Sequence, residues 1–167
     1  AASASLLLLI GGGVGYYHLE QPPTKEEIFN EYYKPYEVTV SYRSAETEIN
    51  GILTQAFKAY KNEKFSKALG LFQQVLSKRE DIAARMYSGI SYIEIDKYNK
   101  ANKSFEKVIN NKDNLFIDQA KWYMSICYVR IGDLDKAKHL LQDLKTTSKH
   151  YSAKSNEVIK KIEEAGI

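Results

Sequence analysis

Few residues of this chain combine types and spacing in a way that bears on chemistry. Four of its nine glycines cluster at Gly11, Gly12, Gly13 and Gly15, the composition of a loop that cradles phosphate with backbone N–H groups. Such a loop needs a Lys and a Ser or Thr directly after its glycines, so that an ammonium and a hydroxyl reach phosphate and metal. Here Tyr16 and Tyr17 follow. A dinucleotide site needs its glycines between a strand and a helix of an alternating α/β unit, and no such alternation follows. His18, His139 and His150 are scattered without metal-ligand spacing. Cys127, the single cysteine, sits in the apolar run Met124, Ile126, Tyr128 and Val129. It cannot form an internal disulfide and has no residue marked as its activating base, so it reads as a buried structural thiol. With no nucleophile–base constellation to place, the expectation is a protein without catalysis, cofactor or metal.

Charge excludes another class. The 24 Lys and Arg are interspersed among 21 Asp and Glu for a net charge of +3, with no run of five or more like charges. A nucleic-acid binder needs a clustered basic face; these charges read instead as solvated helix faces.

The glycines belong to an apolar opening. Residues 1–17 carry no charge, a length approaching the ~20 residues that cross a bilayer core. The expectation is a membrane helix over 1–18 that begins before Ala1, with a cleaved signal as the alternative. Tyr16 and Tyr17 would mark the interface and His18 and Glu20 the wet side. The flank holds no Lys or Arg before Lys25, and Glu26 and Glu27 follow, which by the positive-inside rule predicts repeats facing the periplasm or exterior. Gly11 and Gly15 form a G-x-x-x-G pair, either a packing site for a second membrane helix or a consequence of glycine-rich composition.

Residues 19–48 form a connector. Pro22 and Pro23 are followed by Thr24, a candidate N-cap with Glu27 at N3, which predicts a short helix over about 25–33. The helix is expected to stop before Lys34-Pro35, because a residue preceding proline is pushed out of the helical region. "YEVTVSY" alternates Val38 and Val40 with Thr39 and Ser41 and reads as extended. Tyr32, Tyr33, Tyr36 and Tyr42 make the connector too aromatic for a solvated spacer. Their rings are expected along the outer face of the first repeat helix, with a partner-docking strand as the alternative.

From about residue 49 the chain repeats itself. "KFSKALGLFQQVL", "KYNKANKSFEKVI" and "DLDKAKHLLQDLK" align, with Phe65, Ala68, Phe72 and Val75 matching Tyr98, Ala101, Phe105 and Val108, then Leu134, Ala137, Leu141 and Leu144. The alanines lie 33 and then 36 residues apart, a period typical of helical solenoids. Small residues at Ala56, Gly89 and Ser125 occupy equivalent places in the preceding helices, where two helices must approach closely. The third copy carries three extra residues near Asn111–Asn114. Val158, Ile159 and Ile162 share one side of a last helix, a cap with a solvated outer face.

These copies resemble tetratricopeptide repeats in "SGISY", "KYNKANKSF" and "ICYVRIGDLDKAKHL", over roughly 49–149. They depart from that pattern where its Trp gives way to Ile52, Arg85 and Lys121, and where its closing Pro is missing. The resemblance implies an all-α solenoid of three hairpins with a C-terminal cap helix, a repeat domain over 49–167 preceded by the connector and the membrane helix. More loosely, the chain resembles membrane-anchored repeat proteins of Gram-negative bacteria.

The resemblance also implies a concave surface built from the first helix of each repeat, with Leu53, Phe57 and Tyr60, Met86, Ile90 and Ile93, and Trp122, Ile126 and Val129 facing it. These residues are mostly apolar, unlike the Lys, Asn and Arg of repeats that clamp a C-terminal carboxylate. So many apolar groups call for a cover: an amphipathic or hydrophobic segment of an envelope or membrane protein, the chain's own connector, or a second copy. The tight superhelix burying them itself is the remaining alternative. The expected function is a membrane-anchored, periplasm-facing adaptor that binds a protein partner in this groove; the alternative is an accessory subunit held mainly by its membrane helix.

Overall fold

The structure, a computed structural model, describes residues 22–38 and 47–166. Residues 1–18 with their Gly11–Gly15 pair, and positions 39–42 of the expected extended stretch, lie outside the described residues. Within them the chain is all α: α1 (Lys25–Tyr32), α2 (Glu48–Lys61), α3 (Phe65–Lys78), α4 (Ile82–Ile93), α5 (Tyr98–Asn110), α6 (Ile117–Ile131), α7 (Leu134–Thr147) and α8 (Ser152–Glu164). From α2 onward each helix packs on the next, giving three hairpins and a cap helix, while α1 returns to pack on α6 and α8.

One expectation requires correction. Among the described residues no helix is long and apolar enough to cross a membrane, which overturns the reading of a single-pass protein with periplasmic repeats. The longest described helix, α6, has 15 residues and spans about 22 Å at 1.5 Å per residue, short of the ~30 Å hydrocarbon layer. It also carries Asp118, Lys121 and Arg130.

The hairpins close by a common device. Each first helix ends with its chain reversed through a left-handed residue, at Glu63 (φ 56°), Asp96 (φ 57°) and Gly132 (φ 83°). The following N–H then donates back to the helix: Lys64 to Ala59, Lys97 to Tyr92 and Asp133 to Tyr128, at 2.8–2.9 Å. This six-to-one bond satisfies a carbonyl that the helix end leaves orphaned. Only the third copy uses glycine, the residue without a Cβ penalty there. Ahead of the first and second hairpins, Thr47 and Asp81 cap α2 and α4 through the N–H groups of Asn50 and Ala84. The three extra residues of the third copy form the turn before α6, where Asn114 accepts from the Phe116 N–H at 2.8 Å and donates to the Val108 carbonyl at 2.9 Å.

Small residues set the helix spacing. Ala56, Ala68, Ala101, Ser125 and Ala137 have no exposed surface, and a Cβ built on Gly89 would lie 2.3 Å from the Phe105 ring. Val158 and Ile162 on α8 are fully buried and Ile159 nearly so, closing the open end of the array.

Two substitutions test this frame. Gly89→Ala is expected to destabilise by about 1–3 kcal/mol through overpacking against Phe105. Glu63→Gly is expected to stabilise by about 1 kcal/mol by relieving the left-handed backbone. Denaturant unfolding followed by circular dichroism measures both, and equal effects of the two would contradict the packing described.

Candidate partner-binding groove

The connector supplies the element that organises the inner face. Thr24 and Glu27 form the expected capping box at the start of α1. Its buried residues Ile28 and Phe29 fix it against the array. Phe29 lies edge-on to Tyr98 at 5.6 Å between centroids, and the Arg130 guanidinium sits 5.8 Å from both rings. Glu26–Arg130 (3.5 Å) and Glu31–Lys161 (2.9 Å) tie α1 to α6 and α8. After Tyr32 the helix stops, one residue earlier than expected, and Tyr33 is extended (φ −82°, ψ 130°). Pro35 enforces the same for Lys34.

Residues 33–38 then run as a strap from the third hairpin toward the first. Three tyrosines on three successive first helices donate their hydroxyls to its carbonyls: Tyr123 on α6 to Lys34 at 2.8 Å, Tyr87 on α4 to Glu37 at 2.8 Å, and Tyr60 on α2 to Tyr36 at 2.7 Å. Each such bond contributes about 0.5–1.5 kcal/mol net. The strap answers with rings. Tyr36 packs on Tyr87, Phe116 and Tyr123 with centroids 5.7–6.3 Å apart, and Tyr33 meets Tyr123 at 6.0 Å while its hydroxyl donates to the Glu94 carboxylate. Lys34, Pro35 and Glu37 face outward and are exposed. For Tyr32, Tyr33 and Tyr36 the expected placement along the outer face of the first repeat helix is therefore corrected; Tyr42 lies outside the described residues. Those three rings lie mainly against α4 and α6, because Tyr87 and Tyr123 offer both a flat partner and a hydroxyl.

All nine residues assigned to the groove are at most 5 % exposed. Tyr60 binds the strap and Trp122 lies edge-on to Tyr32 at 6.4 Å, stacked on Tyr151 at 5.2 Å. Phe57 packs on Phe72 and Tyr87 at 5.0 and 4.9 Å, inside the array. Met86, Ile90, Ile126 and Val129 have no exposed surface, and Leu53 and Ile93 have 2 % and 3 %. Sequence reasoning missed Tyr87 and Tyr123. A signal was there, since both follow a residue assigned to the groove by one position and lie 36 residues apart, the repeat spacing itself.

The strap leaves space at both ends. A cavity of about 580 Å³ at the first-hairpin end is lined by Pro35, Tyr36, Val38, Tyr60, Phe65 and Glu94 among others. At the other end a cavity of about 290 Å³ includes Tyr32, Trp122, Tyr151, His150, Lys154 and Glu157. Burial, and for Tyr33 the adjacent Glu94, pushes the phenols of Tyr33, Tyr60 and Tyr123 far above the ordinary value of 10; burial pushes Tyr151 up to about 12. Neutral hydroxyl donors are what this chemistry needs. Cys127 is buried and its thiol is pushed up as well, which withholds the nucleophilic thiolate. Of the other chemistry-bearing residues, His139 is exposed on α7 and His150 precedes α8, while His18 lies outside the described residues.

The family model of the tetratricopeptide repeat matches residues 83–111 and 119–147, the hairpins α4–α5 and α6–α7. The chain carries tetratricopeptide repeats. Hairpin α2–α3, outside the matched residues, repeats their turn and packing. The array resembles the solved structure of PcrH in complex with the chaperone binding region of PopB (TM-score 0.59, 16% identity, 71% of this chain and 99% of that chain covered). It also resembles PcrH from Pseudomonas aeruginosa (TM-score 0.58, 16% identity, 78% and 100% covered). In sequence it is 29% identical over 92 residues to the human intraflagellar transport protein 88 homolog, covering 52% of this chain and 11% of that protein. The chain thus spans about a tenth of the length of that curated relative. On this fold the three tyrosines hold an extended segment of the chain itself.

Two outcomes are expected. Tyr123→Phe lowers stability by about 1 kcal/mol by deleting one hydroxyl bond, whereas Tyr123→Ala costs about 3–5 kcal/mol by opening a cavity. With folded phenols raised above 10, the unfolded chain releases these protons first and binds fewer of them. The phenols' contribution to stability is therefore level below about pH 10 and falls as pH rises toward 12. Tyrosinate absorbance recorded alongside circular dichroism checks the sign.

Proposed function

We propose that this chain is a non-catalytic adaptor whose concave surface binds an extended hydrophobic segment of another protein. The observation that carries the reading is the clamp: Tyr60, Tyr87 and Tyr123, from three successive repeats, converge on the main-chain carbonyls of one extended segment. Main-chain acceptors recur in any extended peptide, so hydroxyls in this array supply affinity independent of sequence while pockets for side chains supply selectivity. PcrH, on a similar fold, forms a complex with the chaperone binding region of PopB, which supports a protein partner here. Of the nine residues assigned to the groove, Tyr60 and Trp122 are the ones we propose to meet the partner. Leu53, Phe57, Met86, Ile90, Ile93, Ile126 and Val129 support that wall from behind. In the division we propose, residues 19–48 are a connector that shares the inner face and 49–167 form the repeat domain. The partner is a protein, not a nucleic acid, since the charges of the chain are mixed.

Photo-crosslinking tests the reading. A benzophenone amino acid replacing Lys61 or Lys154, at the two cavities, is expected to capture a protein in cells, and the same group replacing exposed Lys103 on α5 is not. In a Tyr36→Ala background, where the strap has lost its central ring, the capture is expected to fall at least fivefold on adding Tyr87→Phe and Tyr123→Phe. Equal capture from α5, or capture unaffected by the loss of the hydroxyls, would refute a groove-based adaptor.

A further inference from the structure

The groove already holds a peptide, and it is the chain's own. Residues 33–38 adopt the extended form a bound segment would take. They place two aromatic rings and Val38 inward and leave Lys34, Pro35 and Glu37 to solvent. Their hold on the array is partial, because cavities remain at both ends, and Lys34, Tyr36 and Glu37 are held through carbonyls that any peptide has. The ligand chemistry of the groove can therefore be read from its occupant.

We propose that the strap is a resident competitor, displaced by an extended partner segment of the pattern aromatic-x-Pro-aromatic-x-apolar, as in Tyr33-Lys34-Pro35-Tyr36-Glu37-Val38. This rests on the groove being the partner site. The tether gives the strap an effective concentration in the millimolar range. A free segment of the same chemistry therefore binds weakly unless it also reaches a flanking cavity or the strap is loosened. At the third-hairpin end the cavity is lined by Tyr32, the stacked pair Trp122 and Tyr151, and the charged Lys154 and Glu157. At the first-hairpin end it offers Tyr60 and Phe65, beside Lys61 and the carboxylates of Glu63 and Glu94. The proline serves as preorganisation: it restricts the residue before it to the extended region, so less conformational freedom is lost on binding.

The probe is a fluorescein-labelled synthetic peptide FNEYYKPYEV, added to the full chain and followed by anisotropy. Weak binding is expected to wild type and at least tenfold tighter binding to Tyr36→Ala, whose strap has lost its central ring. Adding Tyr87→Phe and Tyr123→Phe to that variant is expected to reverse most of the gain. Should Tyr36→Ala unfold the array by circular dichroism, Tyr33→Phe decides. It deletes only the hydroxyl bond to Glu94 and is expected to bind the peptide at least threefold tighter than wild type, and equal binding would overturn the proposal. So would a folded Tyr36→Ala variant with no gain, a bound peptide that is helical by isotope-edited NMR, or a Tyr36→Ala variant that sediments as a dimer because a second copy fills the groove. If the peptide fails while Lys61 and Lys154 still crosslink a protein, the competitor idea falls and the adaptor stands. If crosslinking fails too, the groove itself is not the site.

Discussion

The contact on which the inner face depends is a phenol hydroxyl meeting a main-chain carbonyl across repeats. A solenoid stacks its units by nearest-neighbour packing, and each repeat alone exposes an apolar side. Here Tyr87 and Tyr123, at equivalent places in the second and third hairpins, turn that side into a row of flat rings tipped with donors. The strap that accepts from them crosses all three hairpins, so Tyr60, Tyr87 and Tyr123 link units that otherwise touch only their neighbours. A neutral phenol is a donor, and burial pushes those of Tyr60 and Tyr123 further above their ordinary value. An unbonded hydroxyl in that setting would carry the desolvation cost of a buried polar group.

Helix α1 shows how a short helix acquires a fixed position. Eight residues are marginal as an isolated helix, and the capping box satisfies only two of its orphan donors. The remainder comes from tertiary contact: Ile28 with no exposed surface, Phe29 between Tyr33, Tyr98 and Arg130, and ion pairs to α6 and α8 at its rim. Those exposed ion pairs orient more than they stabilise. The helix thereby sets where the strap begins, at the third hairpin, and the backbone restriction at Lys34-Pro35 sets the direction in which it leaves.

Much of this was legible in the sequence because it is local or repeated. The alanine spacing of 33 and 36 residues located the hairpins, and Thr24 with Glu27 located α1. The buried stripe Val158, Ile159 and Ile162 identified the cap. What escaped was long-range. Nothing local to Tyr36 says that it meets Tyr87 and Tyr123, and the rings of the connector were assigned to the first repeat because it follows them in the chain. The nine inner positions were read as too apolar to leave wet, with the chain's own connector among three possible covers and self-burial by the superhelix as the remaining alternative. Choosing between them needed geometry. The reading of a periplasmic single-pass protein rested on composition at residues 1–18, and among the described residues no helix has the length or apolarity to cross a membrane.

Seating of the strap across the three repeats is the central claim, and paramagnetic relaxation tests it directly. A nitroxide on Lys34→Cys in the full chain labels one exposed position, because Cys127 is buried. The account predicts strong broadening of the Trp122 indole N–H and of the Tyr123 ring signals, with those of exposed Lys103 on the far helix α5 left sharp. Uniformly weak broadening across the array, with Trp122 and Tyr123 no more affected than Lys103, would contradict it.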